Sequence, residues 1–152
     1  MAKVGIVMGS KTDRDIVKPA MDMLEQLGID YEVSIISAHR NPEKLREYGL
    51  KAEERGFEVI IAAAGGAAHL PGILASWTTL PVIGIPLPTT ELKGVDALLS
   101  IAQMPAGVPV ACVGIGTSGA KNAALLAAQI LGIKHEEVKE AYQRYKAELA
   151  EK

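Results

Sequence analysis

Apolar residues in this chain fall in short dense runs, separated by longer stretches in which they recur at helical spacing. Runs near residues 3–8, 31–36, 58–64, 81–86 and 109–115 are rich in Val and Ile and almost continuous in apolar character. That pattern predicts strands covered on both faces. Between the first two, Asp15 to Leu27 sets Ile16, Ala20, Met23, Leu24 and Leu27 on one helical face, and Gly28 follows as a stop signal. Asn41-Pro42-Glu43 predicts a second helix, capped by the asparagine with proline in its first turn, running to Gly56. Another is expected from about Ala120 to Leu131, ending at Gly132. The last segment, His135 to Lys152, reads as a charged helix with a thin apolar stripe of Val138, Ala141, Tyr142, Tyr145 and Leu149. Such a stripe suits packing on its own domain or on a neighbouring subunit.

Strands alternating with helices imply right-handed crossovers and a parallel sheet between helix layers. In such sheets ligands bind outside the carboxyl ends of the strands. The loops beginning at Gly9, Ser37, Gly65, Pro86 and Gly116 should all emerge at that edge, so they are expected to form one site. No repeat or low-complexity linker interrupts the chain, and residues 1–152 are expected to form one domain.

Composition narrows the function classes. Hydrophobic residues make up 49% of the chain and aromatics 4%, so Ala, Val, Ile and Leu must build the core. A net charge of −2 supplies no basic field for nucleic acid. No apolar stretch approaches the ~20 residues needed to span a bilayer. The single cysteine, Cys112, cannot form an internal disulfide and reads as a small core residue. With no charged-then-apolar leader before Val4, the expected setting is the cytoplasm.

Three loops carry the candidate chemistry. Gly9-Ser10-Lys11-Thr12-Asp13 joins a strand to a helix N-terminus, where free N–H groups and the helix dipole favour an anion. Asp13 could accept hydrogen bonds from sugar hydroxyls, although a simple capped turn explains the same residues. Ser37-Ala38-His39-Arg40 pairs a proton carrier with a fork-shaped cation suited to phosphate. Gly65-Gly66-Ala67-Ala68-His69-Leu70-Pro71-Gly72 has small residues that allow a flat ring or carboxylate to approach backbone N–H groups. Tight strand-to-helix packing around a partly buried His69 is the alternative there.

Other patterns carry less. Gly114-Ile115-Gly116-Thr117-Ser118-Gly119 has the spelling of a dinucleotide fingerprint but lacks the following strand with its acidic end, and reads as a glycine-rich turn near the site. No Cys, His or carboxylate cluster has metal-ligand spacing, and no triphosphate-binding loop is present. His135, beside Glu136 and Glu137, is expected to be solvated, and Trp77 to serve packing.

Taken together, Met8 to Asp13, Ser37 to Pro42 and Ala64 to Gly72 closely resemble the bacterial N5-carboxyaminoimidazole ribonucleotide mutase family of purine biosynthesis. So do Gly94 to Leu98, Gln103-Met104-Pro105 and Asn122 to Leu131. The resemblance runs in order through essentially the whole chain. It implies a flavodoxin-like three-layer α/β/α sandwich with a five-stranded parallel sheet and an extra C-terminal helix, assembled as a homo-octamer. It also implies transfer of a carboxylate from the exocyclic nitrogen to carbon 4 of an aminoimidazole ribonucleotide, without ATP, metal or organic cofactor.

By the same resemblance Ser10, Asp13 and Arg40 would bind the ribose phosphate, supported by Ser37 and the Gly9 backbone. His39 would be the general acid/base, and His69 with Gly65, Gly66 and Ala67 would line the pocket around the imidazole. Lys11, Thr12, Ala38 and Leu70, in the same loops, complete the candidate set. Ala63, Asn41 and the 87–91 loop depart from the usual family spelling without removing a charge or proton carrier. The nearest alternative is the related carboxylase that uses free carbon dioxide. An alternative of another class is a non-catalytic nucleotide-monophosphate-binding module.

Overall fold

The computed structural model describes residues 2–152. Five strands, β1 (Lys3–Met8), β2 (Asp30–Ile35), β3 (Val59–Gly65), β4 (Val82–Leu87) and β5 (Ala111–Cys112), form one parallel sheet in the order β2-β1-β3-β4-β5. Six helices follow them: α1 (Arg14–Gln26), α2 (Pro42–Lys51), α3 (Leu70–Trp77), α4 (Val95–Ala102), α5 (Gly116–Leu131) and α6 (Glu136–Ala150). This is the three-layer α/β/α architecture expected from the alternation of periods.

Alternate side chains of the central strands feed two cores. Val4, Ile6, Met8, Ile61, Ile83 and Ile85 are buried under α1 and α5. Gly5 and Val7 of β1, with Ile60, Ala62 and Val82, face α2 and α3 through Leu45, Tyr48 and Leu74. Only the three central strands are covered on both faces. β2 lies at the edge and is half-buried along most of its length, with Tyr31 and Val33 packed on the core and Ile35 exposed at its end.

Several boundaries differ from expectation for local reasons. The fifth strand shrinks to two residues, because Pro109 has no N–H for the ladder and Gly114 follows soon after. The second helix ends at Lys51, and Gly56, at φ 90°, closes the turn that follows it. Helix α5 starts at Gly116, so the Gly116-Thr117-Ser118-Gly119 stretch is its first turn instead of a free loop. Gly119 belongs there because a Cβ would overlap the Gly114 carbonyl. Helix α6 packs Val138, Ala141, Tyr142 and Tyr145 of its stripe on the core, while Leu149 stays half-exposed. His135 is not solvated: its Nε2 meets Glu58 Oε1 at 2.8 Å, tying the start of α6 to the entrance of β3. Trp77 packs against Gly49 of α2, whose missing side chain makes the room.

Candidate active site

Because every strand is parallel, every strand-to-helix loop leaves the same edge of the sheet. Four of these loops enclose an open cavity of about 320 Å³. The β1 loop contributes Gly9, Ser10, Thr12 and Asp13. The β2 loop contributes Ser37, Ala38, His39 and Arg40. From the β3 side come Ala64, Gly65, Ala68, His69 and Leu70, and from the β4 loop Thr89.

The β1 loop is a short 3-10 turn, Lys11–Asp13, begun by Ser10, whose hydroxyl accepts from the Thr12 N–H at 3.3 Å and pairs with the Thr12 hydroxyl at 2.9 Å. Asp13 ends this turn as the one buried charged residue among those described, 9% exposed. Burial pushes its carboxyl above the usual carboxylate range, partly offset by a backbone hydrogen bond at Ser10. A buried acid over a cavity is poised to receive donors such as sugar hydroxyls.

In the β2 loop, Ser37 holds Arg40. Its hydroxyl accepts from both the Arg40 N–H and Nε–H, each at 3.2 Å, and Arg40 Nη2 reaches the Gly9 carbonyl at 3.4 Å. No carboxylate pairs with this guanidinium among the described residues, so its charge is available to an anion. Asn41 caps α2 by accepting from the Lys44 N–H at 3.3 Å, which fixes where the loop ends.

Thirty residues apart in the chain, the two histidines meet: His39 Nε2 lies 2.6 Å from His69 Nδ1, with the rings nearly perpendicular at 87°. One hydrogen lies between the two nitrogens, and it is covalently held by one ring at a time. This direct pairing had no signal in the sequence. Ala68, at φ 47°, and Gly66, at φ 61°, supply the left-handed turn that swings His69 back over the sheet.

Most candidate residues therefore gather, and three do not reach the wall. Lys11 and Ala67 are exposed outside the cavity lining, and the open side of Gly66 faces the Thr90 methyl group at 3.6 Å. Ala64, Ala68 and Thr89, which lay in the expected loops but outside the candidate set, also line the wall. The Gly114–Gly119 segment contributes nothing to it. Gly65 also proves to have a purpose other than ligand access: a Cβ there would overlap the Thr89 hydroxyl, so its absence admits the β4 loop. Among the described residues no three His, Cys, Asp or Glu side chains cluster as metal ligands, and no helix is long and apolar enough to cross a membrane.

A parallel three-layer domain that offers a guanidinium with no carboxylate partner and a hydrogen-bonded pair of imidazoles in one cavity has the equipment of an enzyme for small anionic substrates. The chain belongs to the AIR carboxylase family, whose model matches residues 3–152. It is 58% identical to a protein of Pyrococcus abyssi named N5-carboxyaminoimidazole ribonucleotide mutase, over 98% of this chain and 84% of that one. A Thermotoga maritima protein of the same name is 58% identical over 100% of this chain and 90% of its own length. The crystal structure of Treponema denticola PurE superposes with a TM-score of 0.87, covering 99% of this chain and 93% of that chain at 28% identity.

Proposed function

We propose that this chain is an N5-carboxyaminoimidazole ribonucleotide mutase. It moves the carboxylate of its nucleotide substrate from the exocyclic nitrogen to ring carbon 4 in purine biosynthesis. The observation that carries the residue roles is the 2.6 Å His39–His69 contact beside the Arg40 guanidinium, which no carboxylate pairs among the described residues.

Arg40, held by Ser37, takes the phosphate together with Ser10 and the N–H groups of the first turn, and Asp13 accepts from the ribose hydroxyls. This anchors the aminoimidazole at the histidine pair. Protonated His39 gives its proton to the exocyclic nitrogen as the N–C bond breaks, leaving carbon dioxide and a neutral, electron-rich ring. The electrons of carbon 4 then form the new C–C bond. The extra proton on carbon 4 returns to His39, so one proton leaves and comes back and no co-reactant is consumed.

Holding carbon dioxide against the ring replaces a bimolecular encounter by an effectively intramolecular one, worth about 7–11 kcal/mol in favourable cases. A positioned acid/base contributes about 10²–10⁴-fold. Trapping therefore matters at least as much as proton transfer, and the small side chains of Ala64, Gly65 and Ala68 suit a fragment as small as carbon dioxide. His69 orients His39 and the ring.

The single domain of residues 1–152 works as a cytoplasmic homo-octamer in this reading. Exposed Leu92, Val95 and Leu99 around α4, and Ile133 at 88% exposure, support assembly, and the lone unpaired Cys112 supports a reducing compartment.

His39→Asn tests the assignment. Substrate binding should persist while turnover falls by about 10²–10⁴-fold. Unchanged turnover would remove His39 from the chemistry, and wild-type protein that binds nucleotide without converting it would favour a binding module. Turnover that requires bicarbonate and leaves the N-carboxylated nucleotide inert would assign the carboxylase reaction instead.

A further inference from the structure

The β4 loop reaches the cavity with one side chain, Thr89, for which the roles above leave no task. Its N–H donates to the Leu87 carbonyl at 3.0 Å. Its hydroxyl rests in the space left by Gly65, and among the described residues nothing takes it up as a partner. The loop is nevertheless held. Next in the chain, the Thr90 hydroxyl donates to Asp96 Oδ2 at 2.6 Å and accepts from the Leu92 N–H at 3.2 Å, stapling the segment to the first turn of α4. Thr89 is thus a held donor at the cavity mouth, exposed and with no protein partner among the described residues for its hydroxyl.

Its place in the cavity says what it faces. Ser10, Asp13, Ser37 and Arg40 stand over β1 and β2, while Ala64, Gly65, Ala68 and Thr89 stand over β3 and β4. The histidine pair joins the two halves. A nucleotide held by its phosphate at Arg40 directs its ring and carboxylate toward the second half. There, among the described residues, the wall offers two polar side chains, His69 and Thr89.

We propose that Thr89 is a specificity-determining residue whose hydroxyl donates a hydrogen bond to the migrating carboxylate, favouring carboxylated over uncarboxylated nucleotide. This rests on the mutase reading. The contact is made to the carboxylate on nitrogen and again on carbon, so its loss shows first in binding.

The test is equilibrium titration of wild-type protein, Thr89→Val and Thr89→Ser with the carbon-4-carboxylated nucleotide and with its uncarboxylated parent. A hydrogen bond to a charged group corresponds to about a 10- to 100-fold loss. Thr89→Val should lose that much affinity for the carboxylated nucleotide, keep its affinity for the parent, and recover both with serine. Thr89→Ala, which adds no bulk, should repeat the valine result. Parallel loss for both ligands would mean a structural role and overturn the proposal, as would no loss for either. Failure of wild-type protein to convert the N-carboxylated nucleotide would instead overturn the mutase reading.

Discussion

Tyr48 of α2 meets Gly5 of β1 where that helix packs on the sheet. Tyr48 is 5% exposed, and its hydroxyl finds no hydrogen-bond partner among the described residues. It lies in the space where Gly5 has no side chain. Burial pushes its phenol well above the usual tyrosine value. An unsatisfied buried hydroxyl costs about 1–3 kcal/mol. Tyr48→Phe removes that cost and should stabilise the protein by a similar amount, each kcal/mol raising Tm by roughly 2–4 °C for a chain of this size.

Gly5→Ala alone should do the opposite. Its Cβ would overlap the hydroxyl, and overpacking costs about 1–3 kcal/mol, against which the entropy gain of replacing glycine, about 0.4–1 kcal/mol, is small. In the Tyr48→Phe background the new methyl group occupies the vacated space, 3.4 Å and 3.5 Å from Phe57 ring carbons, which is ordinary contact. Gly5→Ala should then be neutral or stabilising. Thermal melts of the four proteins at one concentration complete a double-mutant cycle, with an expected coupling of about 1 kcal/mol or more. Additive effects would refute the claim that the hydroxyl occupies the glycine's space. A lower Tm for Tyr48→Phe would refute the claim that it is unsatisfied.

Two further outcomes are expected. Asp13 has its carboxyl raised by burial, so it binds its proton more readily folded than unfolded; that contribution is fully present below the ordinary aspartate value of about 4 and is lost as pH rises through the raised one. Asp13→Asn should therefore melt above wild type at neutral pH, with the gap closing in acid, while its affinity for the nucleotide falls; an unchanged gap across that range would count against burial as the cause. Gly119→Ala, placed against the Gly114 carbonyl, should cost at least the roughly 1–3 kcal/mol of ordinary overpacking, and a wild-type melting curve would show that the α5 start is looser than described.

The sheet was legible because Val, Ile and Ala crowd β1, β3 and β4 so densely that only a strand covered on both faces accounts for them. The fate of Gly116 to Gly119 was not legible. Glycine disfavours helix, and only the nearby Gly114 carbonyl, a tertiary fact, explains why Gly119 sits in one. In the site, His39, Arg40 and His69 announced themselves by residue type at strand ends. Thr89 could not, because a threonine in a polar turn is ordinary until Gly65 is seen beneath it. Lys11 lies outside the cavity wall, and residue type alone does not say which residues of a three-residue turn line a cavity.

The histidine contact also sets terms for any inhibitor of this pocket. A molecule that enters between the rings separates a 2.6 Å hydrogen bond before it can make its own. A ligand offering one contact there replaces like with like and gains little. One that presents an anion to both nitrogens at once, with its other end on Arg40, converts a single internal bond into two external ones. Selective compounds should accordingly be two-headed, their two acidic groups separated by about the span from the guanidinium to the paired imidazoles.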